Sequence, residues 1–181
     1  MKVLGLCGSL RRASLNRALL GVLAQEMPEG TSLTIHDGLA DLPLFSSDLA
    51  EPASATALKA AIADHDAVVF ATPEYNYSIP GALKNAIDWA SRPPPQSPLR
   101  GKPVGIIGAA TGMSGTMRAQ LHLRQILVYT DSPAMAQPEV LIPRAHERFT
   151  DGVLTDDSVR ALLRTFAGAL AAHVARYPAR A

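Results

Sequence analysis

Residues 72–89, TPEYNYSIPGALKNAIDW, decide the fold, because a strand exit, a polar loop and a helix start follow one another within them. The segment before them, Ala67-Val68-Val69-Phe70-Ala71, is an unbroken apolar run of the kind buried on both faces in a parallel sheet. A loop leaving the carboxyl end of such a strand lies where open α/β sheets bind ligands. Pro73 and Pro80 stiffen the loop at its ends, since each fixes φ and lacks an N–H. Between them Glu74, Tyr75, Asn76, Tyr77 and Ser78 offer aromatic faces and polar groups, which suits a flat heteroaromatic ligand needing stacking and edge hydrogen bonds. Pro80 then opens an amphipathic helix through Leu83, Ala86, Ile87 and Ala90. Read alone, the segment is equally compatible with an ordinary loop that is rich in Tyr.

Residues 3–20, VLGLCGSLRRASLNRALL, supply a second turn of the same design: an apolar strand, a tight Gly8-Ser9 turn and a helix from about Ser14. The start of that helix presents unpaired N–H groups and the positive end of its dipole. Ser9, Arg11, Ser14 and Asn16 add hydroxyl, guanidinium and amide donors, so the constellation fits a dianionic phosphate monoester. Capping of the helix by Ser14 is part of the same picture.

Other chemistries that use a first strand-to-helix turn fail on spacing. A dinucleotide fingerprint needs G-x-G-x-x-G, and Ala13 and Ser14 break that pattern after Gly8; a Walker loop lacks its G-K-S/T. A low-molecular-weight tyrosine phosphatase needs an Arg separated from its nucleophilic Cys by five intervening residues. Here Cys7 is followed by Arg11 and Arg12, with Ala13 beyond them, so the register misses by one. Cys7 is more simply a small buried hydrophobe closing the first strand.

Residues 103–120, PVGIIGAATGMSGTMRAQ, repeat the design with a turn containing Gly108, Gly112 and Gly115 and a helix from about Thr116. Small residues allow close approach, and the N–H groups of Ala109, Ala110, Thr111 and Gly112 are expected to point at partial negative charge on a planar ring.

Together the three segments resemble the NADPH-dependent FMN reductase family of flavodoxin-like proteins, which includes chromate and quinone reductases and related azoreductases. Its G-S-L-R-x-x-S-x-N pattern is matched by Gly8, Ser9, Leu10, Arg11, Ser14 and Asn16, and its P-E-Y-N-x-S-x-P-G-x-L-K-N-A-I-D-W pattern from Pro73 through Trp89. The third turn departs from the family's Ser-Pro-Gly with Ala110-Thr111-Gly112, which leaves backbone contacts as its expected contribution. The resemblance implies that Ser9, Arg11, Ser14, Leu15 and Asn16 bind the FMN phosphate. It also implies that Pro73, Glu74, Tyr75, Asn76, Tyr77 and Ser78 lie along the isoalloxazine and ribityl chain, with residues 109–112 stabilising charge on the ring. NADPH or NADH would be the co-substrate and a small-molecule electron acceptor the second substrate. No side chain is required as acid or base; Glu74, the sole carboxylate of its loop, is expected to shape the turn by hydrogen bonding. A homodimer or homotetramer is implied as well. A flavodoxin-type electron carrier and a flavin-binding regulatory protein stay open as alternatives, although Arg11-Arg12 and a pI of about 8.0 are unlike the acidic flavodoxins.

A chain of 181 residues with 48% apolar content is expected to form one domain over residues 1–181. At that size it buries ~70% of its unfolded surface and needs no disulfide or metal staple. One Cys suits a reducing compartment, and neither a signal peptide nor a run of ~18 apolar residues is present, so a cytoplasmic location is expected. A formal net charge of +1 and 5% aromatic residues argue against a nucleic-acid surface. The five His are scattered without metal-ligand spacing.

Apolar strands are expected near 2–7, 32–36, 67–71, 103–108 and 139–142, with helices near 14–26, 54–64, 80–90, 115–128 and 156–176. That alternation predicts an α/β flavodoxin-like three-layer sandwich with a parallel five-stranded sheet of order 2-1-3-4-5, in which the three turns converge on one edge. Residues 92–99, RPPPQSPL, read as a rigid connector, and residues 37–52 as a long loop bordering the site or covering the sheet edge. The fourth helix spreads Leu121, Leu123, Ile126, Leu127, Val128 and Tyr129 around more than one face, which predicts a subunit interface shared with the helix bearing Trp89.

Overall fold

The computed structural model describes residues 1–177. Its sheet is built from β1 (Lys2–Cys7), β2 (Ser32–His36), β3 (Ala67–Ala71), β4 (Val104–Ala109) and β5 (Val140–Ile142), all parallel and in the order β2-β1-β3-β4-β5. The most apolar runs take the central positions: every residue of β3 and β4 is buried, whereas β2 at the edge stays partly open. Helices α1 (Leu15–Gln25), α2 (Ala53–Ala63), α3 (Gly81–Ala90), α4 (Met117–Tyr129) and α5 (Asp157–Val174) connect and cover it.

Alternation along the strands divides the core in two. Val3, Val69 and Ile107 meet Leu19 and Leu23 of α1 and Leu163, Phe166 and Leu170 of α5. Leu4, Leu6, Val68, Phe70 and Ile106 point the other way, onto Leu58 and Ile62 of α2, Leu83 and Trp89 of α3, and Leu123 and Leu127 of α4. Side chains alternate across a strand, so apolar residues at consecutive positions require a layer on each face. The flavodoxin-like sandwich expected from the sequence follows from this.

A short antiparallel hairpin, β6 (Phe149–Thr150) with β7 (Val153–Leu154), was not expected. Its signal lies in Asp151-Gly152, whose φ values of 51° and 79° give the doubly left-handed turn that tight hairpins prefer. Residues 37–52 cover the sheet rather than hang free. Phe45 N–H donates to Asn85 Oδ1 at 2.8 Å, Asn85 Nδ2 and Trp89 Nε1 donate to Pro43 O at 2.9 and 2.7 Å, and the Phe45 ring meets Trp89 edge-on at 5.0 Å. Trp89 is 3% exposed, so the indole is a core group whose N–H pins the covering loop. Leu123 and Leu127 are likewise core, whereas Leu121, Val128 and Tyr129 of the expected interface are exposed, as is Met117 at the start of α4. Among the described residues no helix is long and apolar enough to cross a membrane.

Candidate functional site

The turns after β1, β3 and β4 meet at the carboxyl edge because those strands are neighbours in the sheet. In the first turn, Gly8 N–H donates to Ala71 O at 2.8 Å, which ends β1 against β3. Ser14 then caps α1, its hydroxyl accepting from Arg17 N–H at 3.2 Å. Helix geometry leaves the N–H groups of Leu15 and Asn16 without intrahelical acceptors. Ser9 is half-buried at the lip, and Arg11 and Arg12 are exposed beside it, in no ion pair among the described residues. Cys7 lies underneath, buried, with Sγ 3.5 Å from Ser9 O.

Asn16 behaves differently from expectation. Its side chain is buried, and it donates from Nδ2 to Ala109 O while accepting from Ala109 N–H, both at 2.9 Å. The amide expected to reach an anion is therefore spent on stapling the first turn to the third, and only the Asn16 backbone N–H remains for a ligand. A neighbouring-strand backbone satisfies both ends of the carboxamide at once, which no exposed anion would do.

The second turn is a tight hairpin. Tyr75 N–H donates to Ser78 O at 2.9 Å and Ser78 N–H to Tyr75 O at 3.0 Å, while Asn76 and Tyr77 hold φ values of 49° and 66°. This is a primed turn built without Gly, and a bulky aromatic residue at positive φ is rare enough to mark a constrained site. The turn presents the Tyr75 and Tyr77 side chains at the surface. Ser78 Oγ lies 3.1 Å from His122 Nδ1.

Glu74 anchors the turn. Its carboxylate, 7% exposed, accepts from Arg118 N–H at 3.0 Å, Ala119 N–H at 3.3 Å, Arg118 Nε at 2.6 Å and Ser114 Oγ at 3.3 Å. Thr116, the residue before α4, sits at φ 76° and makes no side-chain cap, so Glu74 caps α4 from another loop. Burial works to raise its pKa, but the Arg118 hydrogen bond and charge and the α4 amides outweigh it and hold the carboxyl below its ordinary range. A carboxylate held ionised and fully engaged shapes the turn, as expected, and is not a base.

In the third turn, Gly108 and Gly115 are required by contact. A Cβ at Gly108 would lie 2.6 Å from Thr72 O, and one at Gly115, whose φ is 55°, would lie 2.9 Å from the Leu141 carbonyl carbon. The expectation that all amides of residues 109–112 face a ligand needs correction. Ala109 N–H goes to Asn16, and Ala110 N–H donates to Ile142 O at 3.0 Å. Thr111 and Gly112, both exposed, retain their N–H groups, while Gly112 O accepts from Arg144 N–H at 3.1 Å.

Sequence reasoning singled out neither Arg118 as the partner of Glu74 nor His122 as that of Ser78. A signal was available: the strand order sets the turns after β3 and β4 side by side, so a lone carboxylate in one and an Arg in the first turn of the next helix are placed to pair. A concavity of about 650 Å³ lies elsewhere, at the amino edge between the Lys102 region, the proline connector and the end of α5. Its charges are mixed and it holds none of the three turns; the convergence of unspent backbone donors and exposed rings makes the carboxyl edge the candidate site.

The family model described as NADPH-dependent FMN reductase matches residues 1–147. The chain is 47% identical over 168 residues to NAD(P)H-dependent FMN reductase PA1204 of Pseudomonas aeruginosa, covering 91% of this chain and 90% of that protein. It is 44% identical over 177 residues to 2-hydroxy-1,4-benzoquinone reductase of a Burkholderia species, with 96% of each covered. Among solved structures it superposes on FerB, a flavoenzyme NAD(P)H:(acceptor) oxidoreductase from Paracoccus denitrificans, with a TM-score of 0.88 at 36% identity, over 97% of this chain and 98% of that one.

Proposed function

The chain belongs to the NADPH-dependent FMN reductase family, and from that premise we propose that residues 1–181 form one domain that passes hydride from NAD(P)H through FMN to a small-molecule acceptor. The protein is an oxidoreductase that uses FMN with NAD(P)H; the acceptor, the site residues and the order of events are the proposed part. One observation carries the reading. Among the described residues the first turn keeps Arg11, Arg12 and the N-terminal amides of α1 unspent, while the buried Asn16 carboxamide and the Ala109 backbone satisfy one another.

Those residues fit FMN. A phosphate dianion would be held by Arg11, the Ser9 and Ser14 hydroxyls and the N–H groups of Leu15 and Asn16, where the helix dipole favours negative charge. The ring would lie along Pro73, Tyr75, Asn76 and Tyr77, with Glu74 and Ser78 fixing that wall from behind. The amides of Thr111 and Gly112 would donate to its pyrimidine edge, and Ala109 and Ala110 would shape the floor. FMN held there would supply the two-electron chemistry that links NAD(P)H to the acceptor. The chain's own task is to bind, orient and leave one face open, so NAD(P)H and acceptor use that face in turn, a ping-pong route.

A quinone is the first acceptor proposed, in keeping with the benzoquinone reductase among the relatives; azo compounds, metal oxyanions and free flavin would reach the same open face. We further propose a cytoplasmic homodimer or homotetramer without nucleic-acid partners, with Leu121, Val128 and Tyr129 in the subunit contact. Anaerobic stopped-flow mixing of FMN-loaded protein with NADPH, and separately with NADH, tests the core of this reading. Fast bleaching of the flavin absorbance, followed by recovery on adding a quinone, is expected. No bleaching with either nicotinamide would point instead to an electron carrier or a flavin-binding regulator.

A further inference from the structure

We propose that Arg118 is a positioning residue for the acceptor side of this site: its guanidinium holds the Tyr77 ring as a fixed wall while its edge anchors the turn through Glu74. The inference rests on the reading that residues 73–78 border FMN. Tyr77 needs a restraint of this kind. Its backbone sits at φ 66°, and its ring is too exposed for the core to hold. What the ring does meet is Arg118, whose guanidinium carbon lies 3.9 Å from the ring centroid. Arg118 is itself immobilised on the first turn of α4, with Nε 2.6 Å from Glu74 Oε1 and Nη2 3.1 Å from Ser114 Oγ. One planar group thus gives its edge to a carboxylate and its face to an aromatic ring, a division of labour that a Lys ammonium cannot perform. One helical turn later, His122 takes Ser78 Oγ, so α4 grips the hairpin from both ends.

An ordered wall lowers the cost of binding a planar acceptor, because the ring has no freedom left to lose. Freeing it raises the acceptor KM and leaves the rate of hydride delivery at saturating NADPH as it was. Arg118→Lys separates the two contacts, since it keeps a cation for Glu74 and removes the flat stack. In FMN-loaded enzyme it is expected to raise the KM for 1,4-benzoquinone ~3- to 10-fold, with kcat and the rate of flavin bleaching by saturating NADPH within about twofold of wild type. Tyr77→Leu should raise KM to a similar degree, and the double variant no further, because both remove one contact. Arg118→Ala should in addition weaken FMN binding, measured by fluorescence titration, and Arg118→Lys should restore that affinity but not the quinone KM. Apoprotein carrying Arg118→Lys should also be cut by chymotrypsin at residues 75–77 several-fold faster than wild type, a readout independent of activity. An unchanged KM in Arg118→Lys, additive KM effects in the double variant, or wild-type cleavage would each overturn the proposal. Failure of the wild-type protein to bind FMN at all would instead sink the underlying placement of the site, and the titration tells the two failures apart.

Discussion

The first and third turns have the same strand-turn-helix design, yet they spend their polar groups in opposite ways. The turn at residues 8–16 keeps its donors outward: Arg11 and Arg12 pair with nothing among the described residues, and the α1 amides are open. The turn at residues 108–116 turns the N–H groups of Ala109 and Ala110 inward, onto Asn16 and Ile142, while Gly112 O accepts from Arg144 N–H. Buried backbone groups must be paired, whereas those at an exposed helix N-terminus can wait for a ligand. Similar local sequence patterns therefore yield one turn whose donors stay open and one whose first amides are paired within the fold. The second turn stands between them, supported by side chains from α4 rather than by its own backbone alone.

This contrast predicts that variants of the inward-turned groups act on the apoprotein and variants of the outward donors on the holoenzyme. Gly108→Ala should have the largest effect, a loss of about 3 kcal/mol or more in urea unfolding, because its Cβ must displace the Thr72 carbonyl. Wild-type stability there would mean that the third turn is as adaptable as the first. Asn16→Ala should cost apoprotein stability ~2 to 4 kcal/mol, since it strands both the N–H and the C=O of Ala109 in a buried position. A variant that unfolds normally and loses only FMN affinity would return Asn16 to the role of phosphate donor.

Arg11→Ala should do the reverse. FMN binding is expected to weaken by ~1 to 3 kcal/mol through lost charge-assisted hydrogen bonds, with the apoprotein melting temperature unchanged because no internal partner is lost. Unaltered FMN affinity would remove Arg11 from the site. The smallest effect concerns the second turn. The Glu74 carboxyl is held below its unfolded value, so its stabilisation is complete above the ordinary carboxylate pKa and is lost as pH falls through the lower folded one. Glu74→Gln should cost about 1 kcal/mol at neutral pH and flatten the acid limb of the stability profile. Parallel profiles for variant and wild type would show that Glu74 does not titrate with the turn.

Much of this protein is written locally. The unbroken apolar runs of β1, β3 and β4 can only be buried on both faces, so a parallel sheet covered on two sides follows from hydrophobicity and period alone. Helix boundaries were legible within about three residues because Ser14, Pro80 and Asp156 act through their own chemistry as caps or start signals. The three turns and their small residues were legible for the same reason, and with them the family resemblance. The β6–β7 hairpin was legible in principle through Asp151-Gly152, but strands of two residues leave no periodicity to read.

Partnership was decided only by the tertiary structure. A sequence shows that Asn16 can donate and accept; it does not show that Ala109, 93 positions away, will take both ends of its amide. Nor does it show that Glu74 caps a helix in the next unit, that Arg118 stacks on Tyr77, or that apolar Trp89 turns inward while Val128 stays out. Local sequence fixes what each group is able to bond, through backbone propensity and side-chain chemistry. Which groups are left over for a ligand depends on the neighbours that sheet order brings within hydrogen-bond reach, and those are contributed by segments remote in the chain.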